Sequence, residues 1–335
     1  MSSHHVTMSD IASELGVSIV TVSNALRDKD GVSEGLKHKI QKTAAELGYQ
    51  HKTAVGRKNK GSVAVVIAER YLVPEHSFYL SLYLKTAEAL TNAGYHNTLE
   101  VVSAADEQAS LVPDFIVPEQ EKGIMVLGPM KTAYLKALER IGLPMVLTDF
   151  YDNAVSAVSV VTDSFLGSYD MTQYLIGKGH TRIGYVGSIQ INANARDRYY
   201  GYCKAMEEAG LSMKTEWIIP DREGVGFKDV FELPSDMPTA FVCNNDQSAY
   251  HFSRYITNQG YKIPEDISIT GFYNNTFSLL SNPPVTTFCT NAEAIATEAV
   301  RVQKMLIAGE TELPPRVIVS GKIVERCSVS SRKDA

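Results

Sequence analysis

The 335-residue chain has little of what marks most functional classes. Its four cysteines, Cys203, Cys243, Cys289 and Cys327, stand far apart with no CxxC spacing. That argues against a disulfide framework or a thiolate zinc site and leaves reduced thiols. There is no run of eighteen apolar residues, and the amino terminus carries no apolar signal core. The chain is therefore expected in the cytoplasm, without a membrane partner. The motifs GxSxG, Walker A, GxGxxG and HExxH are all missing, and Gly177-Lys178-Gly179 lacks the glycine spacing of a phosphate loop. His4 and His5 form no organised metal set. These absences predict a protein that is not an enzyme and that uses no cofactor and no metal.

What remains is a folded chain, 44% hydrophobic and 21% charged, long enough for more than one domain. Its net charge of −6 is unevenly spread. Residues 1–60 hold nine Lys or Arg against six Asp or Glu, a balance of +3, which leaves −9 for the rest. A basic head on an acidic body attracts phosphates without making the whole molecule adhere to nucleic acid. A surplus of three charges is modest, so two heads acting together in a dimer are the natural expectation.

The stretch Val6 to Tyr49 reads as three short helices. Thr7 or Ser9 suits the first cap, with Met8, Ile11, Ala12 and Leu15 on the inner face. Gly16 ends that helix, Val17 forms a buried corner, and Ser18 caps the second helix. There Val22, Ala25 and Leu26 point inward, which leaves Ile19, Val20, Thr21, Ser23 and Asn24 for solvent or DNA. Ser33 caps a third helix with Leu36, Ile40, Ala44 and Leu47 inside, ended by Gly48. Two helices joined by a tight glycine turn make a helix-turn-helix, whose second helix reads bases.

The string itself is more specific than the pattern. Ile11-Ala12, Gly16-Val17-Ser18, Thr21-Val22-Ser23, Leu26, Val32-Ser33 and Leu47-Gly48-Tyr49 resemble the lactose repressor family of bacterial transcription regulators. Further matches follow in family order at Asp163 to Gly167, Gly179-His180, Ile183 to Gly187, Arg198 to Tyr202, Asn245 to Gln247 and Pro264 to Ser268. The resemblance implies a ligand-responsive transcription regulator, a repressor by family habit. It would bind double-stranded operator DNA as a homodimer and answer to a small-molecule effector, a sugar or sugar derivative among the candidates.

After a polar, basic linker at 50–61, β-rich runs alternate with helical ones, which predicts parallel sheets covered by helices. Strands are expected at Val63–Ala68, His96–Val102, Ile124–Leu127, Met145–Thr148, Val158–Val161, Ile183–Val186, Ala240–Cys243 and Ile267–Thr270. Helices are expected at Tyr79–Ala93, Tyr134–Ile141, Phe165–Lys178, Tyr199–Ala209, Asp246–Gln259 and Ala292–Ile307. The alternation makes the fold class α/β, and the resemblance implies a two-lobed, periplasmic-binding-protein-like body of parallel sheets, preceded by a small all-α helix-turn-helix domain. The domains read as a head at 1–49, the linker at 50–61 and a body at 62–335. By resemblance, 62–161 with about 291–319 form one lobe, and 162–290 with about 320–335 form the other.

Ligands bind open parallel sheets beyond the carboxyl ends of the strands. The candidates for effector binding are Phe78, Tyr79, Asp149, Asn192, Asn194, Arg198, Asn245, Asp246 and Tyr273, with Asn274 beside the last. Each also has a structural reading. Asn245 and Asp246 suit a helix cap, Phe78 and Tyr79 suit core packing, and Arg198 suits a pair with Asp197 or Asp149. The resemblance gives Arg198 and Asp149 effector hydroxyl or carboxylate groups to hold. Where sugar-responsive relatives place an aspartate pair, this chain has Gly271-Phe272-Tyr273-Asn274-Asn275. That departure points to an effector other than a simple hexose, or to a sugar held mainly by stacking.

On the DNA side, the resemblance puts Ile19, Val20 and Asn24 toward bases. The first two offer apolar contact to thymine methyls, and Asn24 offers a bidentate pair to adenine. Thr21 and Ser23 suit phosphates, and Thr7 and Ser18 complete the set. Relatives wedge a hinge leucine into the minor groove. The linker here has no leucine, and Lys58 stands about where the wedge is expected. Either Val55 serves as a smaller wedge, or Arg57, Lys58 and Lys60 hold phosphates while the DNA bends less. A cytoplasmic small-molecule-binding protein without a transcriptional switch is the alternative reading of the whole chain.

Overall fold

Three helices, α1 (Met8–Leu15), α2 (Ile19–Leu26) and α3 (Glu34–Glu46), open the chain. The computed structural model describes residues 8–26, 32–47, 60–72, 77–224 and 226–332. The chain forms two compact units, residues 1–59 and 60–335. In the first unit Ile11, Ala12, Val22, Ala25, Ile40 and Ala44 make one buried cluster, with Leu15, Val17 and Leu36 packed against it. The turn between α1 and α2 depends on Gly16, whose φ of +62° is the left-handed conformation that glycine adopts without steric cost. Ser18 then caps α2, its hydroxyl accepting from the Thr21 amide at 3.0 Å. Two expectations are corrected here. Ser9 lies inside α1 and so is not its cap. Leu47 is 38% exposed, because α3 ends at Glu46 and Leu47 falls beyond its apolar stripe.

The second unit contains two six-stranded sheets. The first has the order β13-β5-β4-β3-β1-β2, all parallel. Its strands are β1 (Ser62–Ala68), β2 (His96–Val102), β3 (Glu121–Leu127), β4 (Met145–Thr148), β5 (Val158–Thr162) and β13 (Arg316–Val319). The interior strand β1 is an almost unbroken Val/Ala/Ile run because helices cover both of its faces. One face packs against α4 (Ser77–Ala93) and α11 (Ala292–Ile307), the other against α6 (Thr132–Glu139).

The second sheet has the order β14-β12-β11-β10-β6-β7, parallel except for the antiparallel edge pair β12–β14. Its strands are β6 (Ile183–Val186), β7 (Ile218–Ile219), β10 (Ala240–Cys243), β11 (Ser268–Tyr273), β12 (Thr286–Cys289) and β14 (Lys322–Val324). The helices α7 (Ser164–Gly177), α8 (Ala193–Glu208) and α9 (Asp246–Asn258) flank it. The ribbon β8 (Arg222–Glu223) with β9 (Gly226–Phe227) follows β7. The chain passes from the first sheet to the second after β5, returns after β12, and crosses again after β13.

All eight expected strands are present within a few residues of their predicted limits. The small elements β7–β9, α5 (Ala104–Ala109) and α10 (Thr276–Leu280) were not among the expected ranges, nor were β12–β14. The helix expected from Tyr199 begins at Ala193, because the Asn192 side chain accepts from the Ala195 amide at 2.9 Å and starts α8 early. No described helix is long and apolar enough to cross a membrane.

Candidate functional site

The α2 helix turns Val22 and Ala25 fully into the core, which leaves Thr21 and Asn24 half-buried and Ser18 exposed. The Ser18 and Thr21 hydroxyls lie 2.8 Å apart, so both sit at the start of this helix, where orphan amides favour anions. The backbones of Ile19, Val20 and Ser23 belong to α2. Their side chains, and all of Thr7, Val55, Arg57 and Lys58, lie outside the described residues.

The other candidates converge where the carboxyl ends of the two sheets meet. A cavity of about 70 Å³ is lined by Phe78, Tyr79, Asn192, Arg198, Asn245 and Tyr273, all expected. Tyr71, Ile191, Arg222, Phe227, Asn244, Gln247 and Asn275 complete the wall and were not anticipated. A larger cavity of about 730 Å³ shares Tyr71, Ile191 and Asn192 with it. Asp149, Asn194 and Asp246 stand behind the wall instead of lining it.

Asp149, at the end of β4, is 1% exposed and accepts from the Tyr79 hydroxyl at 3.0 Å. Burial raises its pKa from 3.8 to about 6, against the attraction of Arg198. Asn194 donates to the Asp149 carbonyl at 2.6 Å, joining the start of α8 to the end of β4. Asp246 is likewise a fastener. One oxygen accepts from Thr287 at 2.6 Å and the other from the Asn275 amide at 2.7 Å. Burial raises its pKa to about 7. Asn245 caps α9 through the Ser248 amide at 2.9 Å while also lining the cavity, so both readings of it hold.

Arg198 is 3% exposed and forms no ion pair with Asp197 or Asp149. Its Nε donates to the Asn194 carbonyl at 3.1 Å, and its two terminal nitrogens to the Asn244 carbonyl at 2.6 Å and the Tyr273 hydroxyl at 3.0 Å. The guanidinium also lies 4.6 Å from the Phe272 ring centroid and 4.8 Å from that of Tyr273. The Tyr273 ring meets Phe78 at a centroid distance of 4.5 Å, an aromatic contact that spans the cleft. Phe78 and Tyr79 are also core residues, each 8% exposed.

Backbone strain gathers at the same place. Asp149, Tyr273 and Asn274 have φ of +63°, +99° and +58°. Side chains rarely adopt this region, at a cost on the order of 1–3 kcal/mol each, and such residues cluster at ligand clamps. The missed lining residues had a weak signal. Arg222 and Phe227 follow a two-residue strand too short to show a period, whereas Asn244 and Gln247 sit directly beside named candidates.

Residues 7–52 match the family model described as bacterial regulatory proteins, lacI family, and residues 172–329 match the periplasmic binding protein-like domain. The HTH-type transcriptional repressor CytR of Escherichia coli (strain K12) is 27% identical, over 88% of this chain and 87% of its own length. The HTH-type transcriptional repressor PurR of Glaesserella parasuis is 28% identical, over 95% of each. In fold, the chain is similar to the lac repressor dimer bound to operator and the anti-inducer ONPF. The TM-score is 0.68 at 20% identity, over 98% of this chain and 100% of that one. With a capped helix-turn-helix and a two-sheet body, the chain joins a lacI-family helix-turn-helix domain to a periplasmic-binding-protein-like domain.

Proposed function

We propose that this regulator is a homodimeric repressor whose operator affinity is set by a small effector in the cleft between the two sheets of the body. In this reading residues 1–49 are the head, 50–61 the linker and 62–335 the body, and the protein works in the cytoplasm on double-stranded DNA. The observation that carries it is the Phe78–Tyr273 contact beside the buried Arg198. Side chains from both lobes meet at the strand ends, so a ligand entering there must rearrange contacts that fix the lobes. An effector acts as a switch only through such a difference in affinity between two arrangements.

In the head, Asn24 reads an adenine, Ile19 and Val20 meet thymine methyls, and Thr21, Ser23, Ser18 and Thr7 hold phosphates. Val55, Arg57 and Lys58 serve the operator centre. In the body, Phe78, Tyr79, Asn192, Arg198, Asn245 and Tyr273 contact the effector, while Asp149, Asn194 and Asp246 hold the wall in shape. The cleft binds its ligand without turning it over.

Selection of the full chain against random duplexes tests the DNA half. A pseudo-palindromic site is expected, with Asn24→Ala losing about 1–3 kcal/mol of discrimination at one base pair per half-site. Equal affinity for every duplex would reject it.

A further inference from the structure

The cavity wall is charged in one sense. Among the described residues it holds two guanidiniums, Arg198 and Arg222, several amides and aromatic rings, and no carboxylate. The nearby acids stand behind the wall, where Asp149 attracts Arg198 and Asp221 attracts Arg222 from a distance while their oxygens bond to neutral donors. Asp149 accepts from Tyr79 and Thr162, Asp221 from the Ser188 amide and the Ser248 hydroxyl, and Asp246 from Thr287 and Asn275. Arg198 is buried with only two carbonyls and a phenol as hydrogen-bond partners. Asp149 attracts this guanidinium but no carboxylate hydrogen-bonds it, and a buried cation gains most from an anion in direct contact. Asn244, also on the wall and 2% exposed, keeps a buried Oδ1 without a hydrogen-bond partner. Arg222 reaches the cavity from β8, its guanidinium 3.8 Å from the Phe227 ring centroid. Burial lowers its pKa against the attraction of Asp221, and repulsion from Arg198 adds a smaller push in the same direction as burial.

We infer that the effector carries an oxyanion, a phosphate ester or a carboxylate, which Arg198 and Arg222 share in the cleft. The inference rests on the cleft being the effector site. In the present arrangement the Tyr273 hydroxyl oxygen accepts from Arg198 where an oxyanion oxygen would accept. Tyr273 also occupies space at a strained φ. An anion arriving at Arg198 displaces that hydroxyl, and Tyr273 swings away from Phe78 and enlarges the small cavity. Bidentate geometry and charge make each guanidinium–oxyanion contact roughly twice as strong as a neutral one. The Asn244 Oδ1 would accept from a hydroxyl on the same molecule.

The test measures the melting temperature of the full chain at matched ionic strength. The probes are inorganic phosphate, formate, glucose 6-phosphate, glucuronate and glucose, with chloride as control. Phosphate-bearing or carboxylate-bearing probes should raise it above chloride, by roughly 2 °C at about ten times the dissociation constant. The phosphate and carboxylate arms tell which oxyanion is preferred. Arg222→Gln should remove the shift and Arg222→Lys should restore part of it, each judged against the variant's own unliganded melting temperature. Stabilisation by glucose but by no anion would overturn the inference, as would no shift with any anion, or an anion shift unchanged in both Arg222→Gln and Arg198→Gln. Operator binding on the same samples separates the two readings. An anion that binds at Arg222 yet leaves operator affinity unchanged refutes the switch and keeps the site. A neutral compound that alters operator affinity keeps the switch and refutes the oxyanion.

Discussion

The two walls of the cleft are built from similar parallel sheets but carry different chemistry. The first sheet's wall is aromatic, with Tyr71, Phe78 and Tyr79. The second sheet's wall is amide-rich and cationic, with Asn192, Arg198, Arg222, Asn244, Asn245 and Gln247. A flat apolar wall rewards any ring, whereas fixed donors reject ligands that cannot satisfy them, because unmet buried polar groups are expensive. If the cleft holds the proposed effector, selectivity belongs to the second lobe and bulk affinity to the first.

The largest expected effect breaks that division outright. Arg198→Gln should weaken effector binding by about 2–5 kcal/mol, read by calorimetry, since it removes the charge at the centre of the wall. An affinity within about threefold of the parent would place selectivity elsewhere.

Next comes the seat of that wall. Gly201 lies one turn beyond Arg198 on α8, and a Cβ there would press into the Phe165 carbonyl of α7. Gly201→Ala should cost about 1–3 kcal/mol in urea unfolding, through a backbone shift that a side-chain rotamer cannot relieve. Gly177→Ala, which meets open space, serves as its neutral control.

The two walls also each hide an acid that titrates late. Burial raises Asp149 from 3.8 to about 6 and Asp246 from 3.8 to about 7. Each binds its proton more tightly folded than unfolded. Its contribution to stability is therefore whole below about 4, falls as pH rises to about 6 for Asp149 and about 7 for Asp246, and is flat beyond. In stepped-pH unfolding, Asp246→Asn should flatten the upper part of that decline and Asp149→Asn the lower part. Parallel curves for both variants and the parent would remove these groups from the account.

The smallest effect lies on the aromatic wall. Phe78→Leu should lower effector affinity by about 0.5–1.5 kcal/mol while preserving the order of preference among ligands. A change in that order would move selectivity to the first lobe.

Local signals carried most of what the sequence revealed. Gly16 and Ser18 mark a turn and a cap within three residues, and both hold in the structure. The long buried strands announce themselves as apolar runs, as β1 does. Asn245 just past β10 and Tyr273 at the end of β11 could be placed at the cleft by rule, as could Phe78 and Arg198 on the helices that follow β1 and β6. The rule fails where an element is short or its role is set by distant partners. The two-residue β7 hides Arg222, and Asp246 becomes a fastener only because Thr287 and Asn275 come from a strand and turn some thirty to forty residues onward. Asn192 reads as a loop donor until its bond to the Ala195 amide shows that α8 has already begun.

Operator affinity of the full chain, measured with and without the compound that most stabilises the body, tests the central claim most directly. The account predicts a change of about 1–3 kcal/mol, roughly 5–150-fold, which disappears in Arg198→Gln. An operator affinity unmoved at saturating ligand would contradict it.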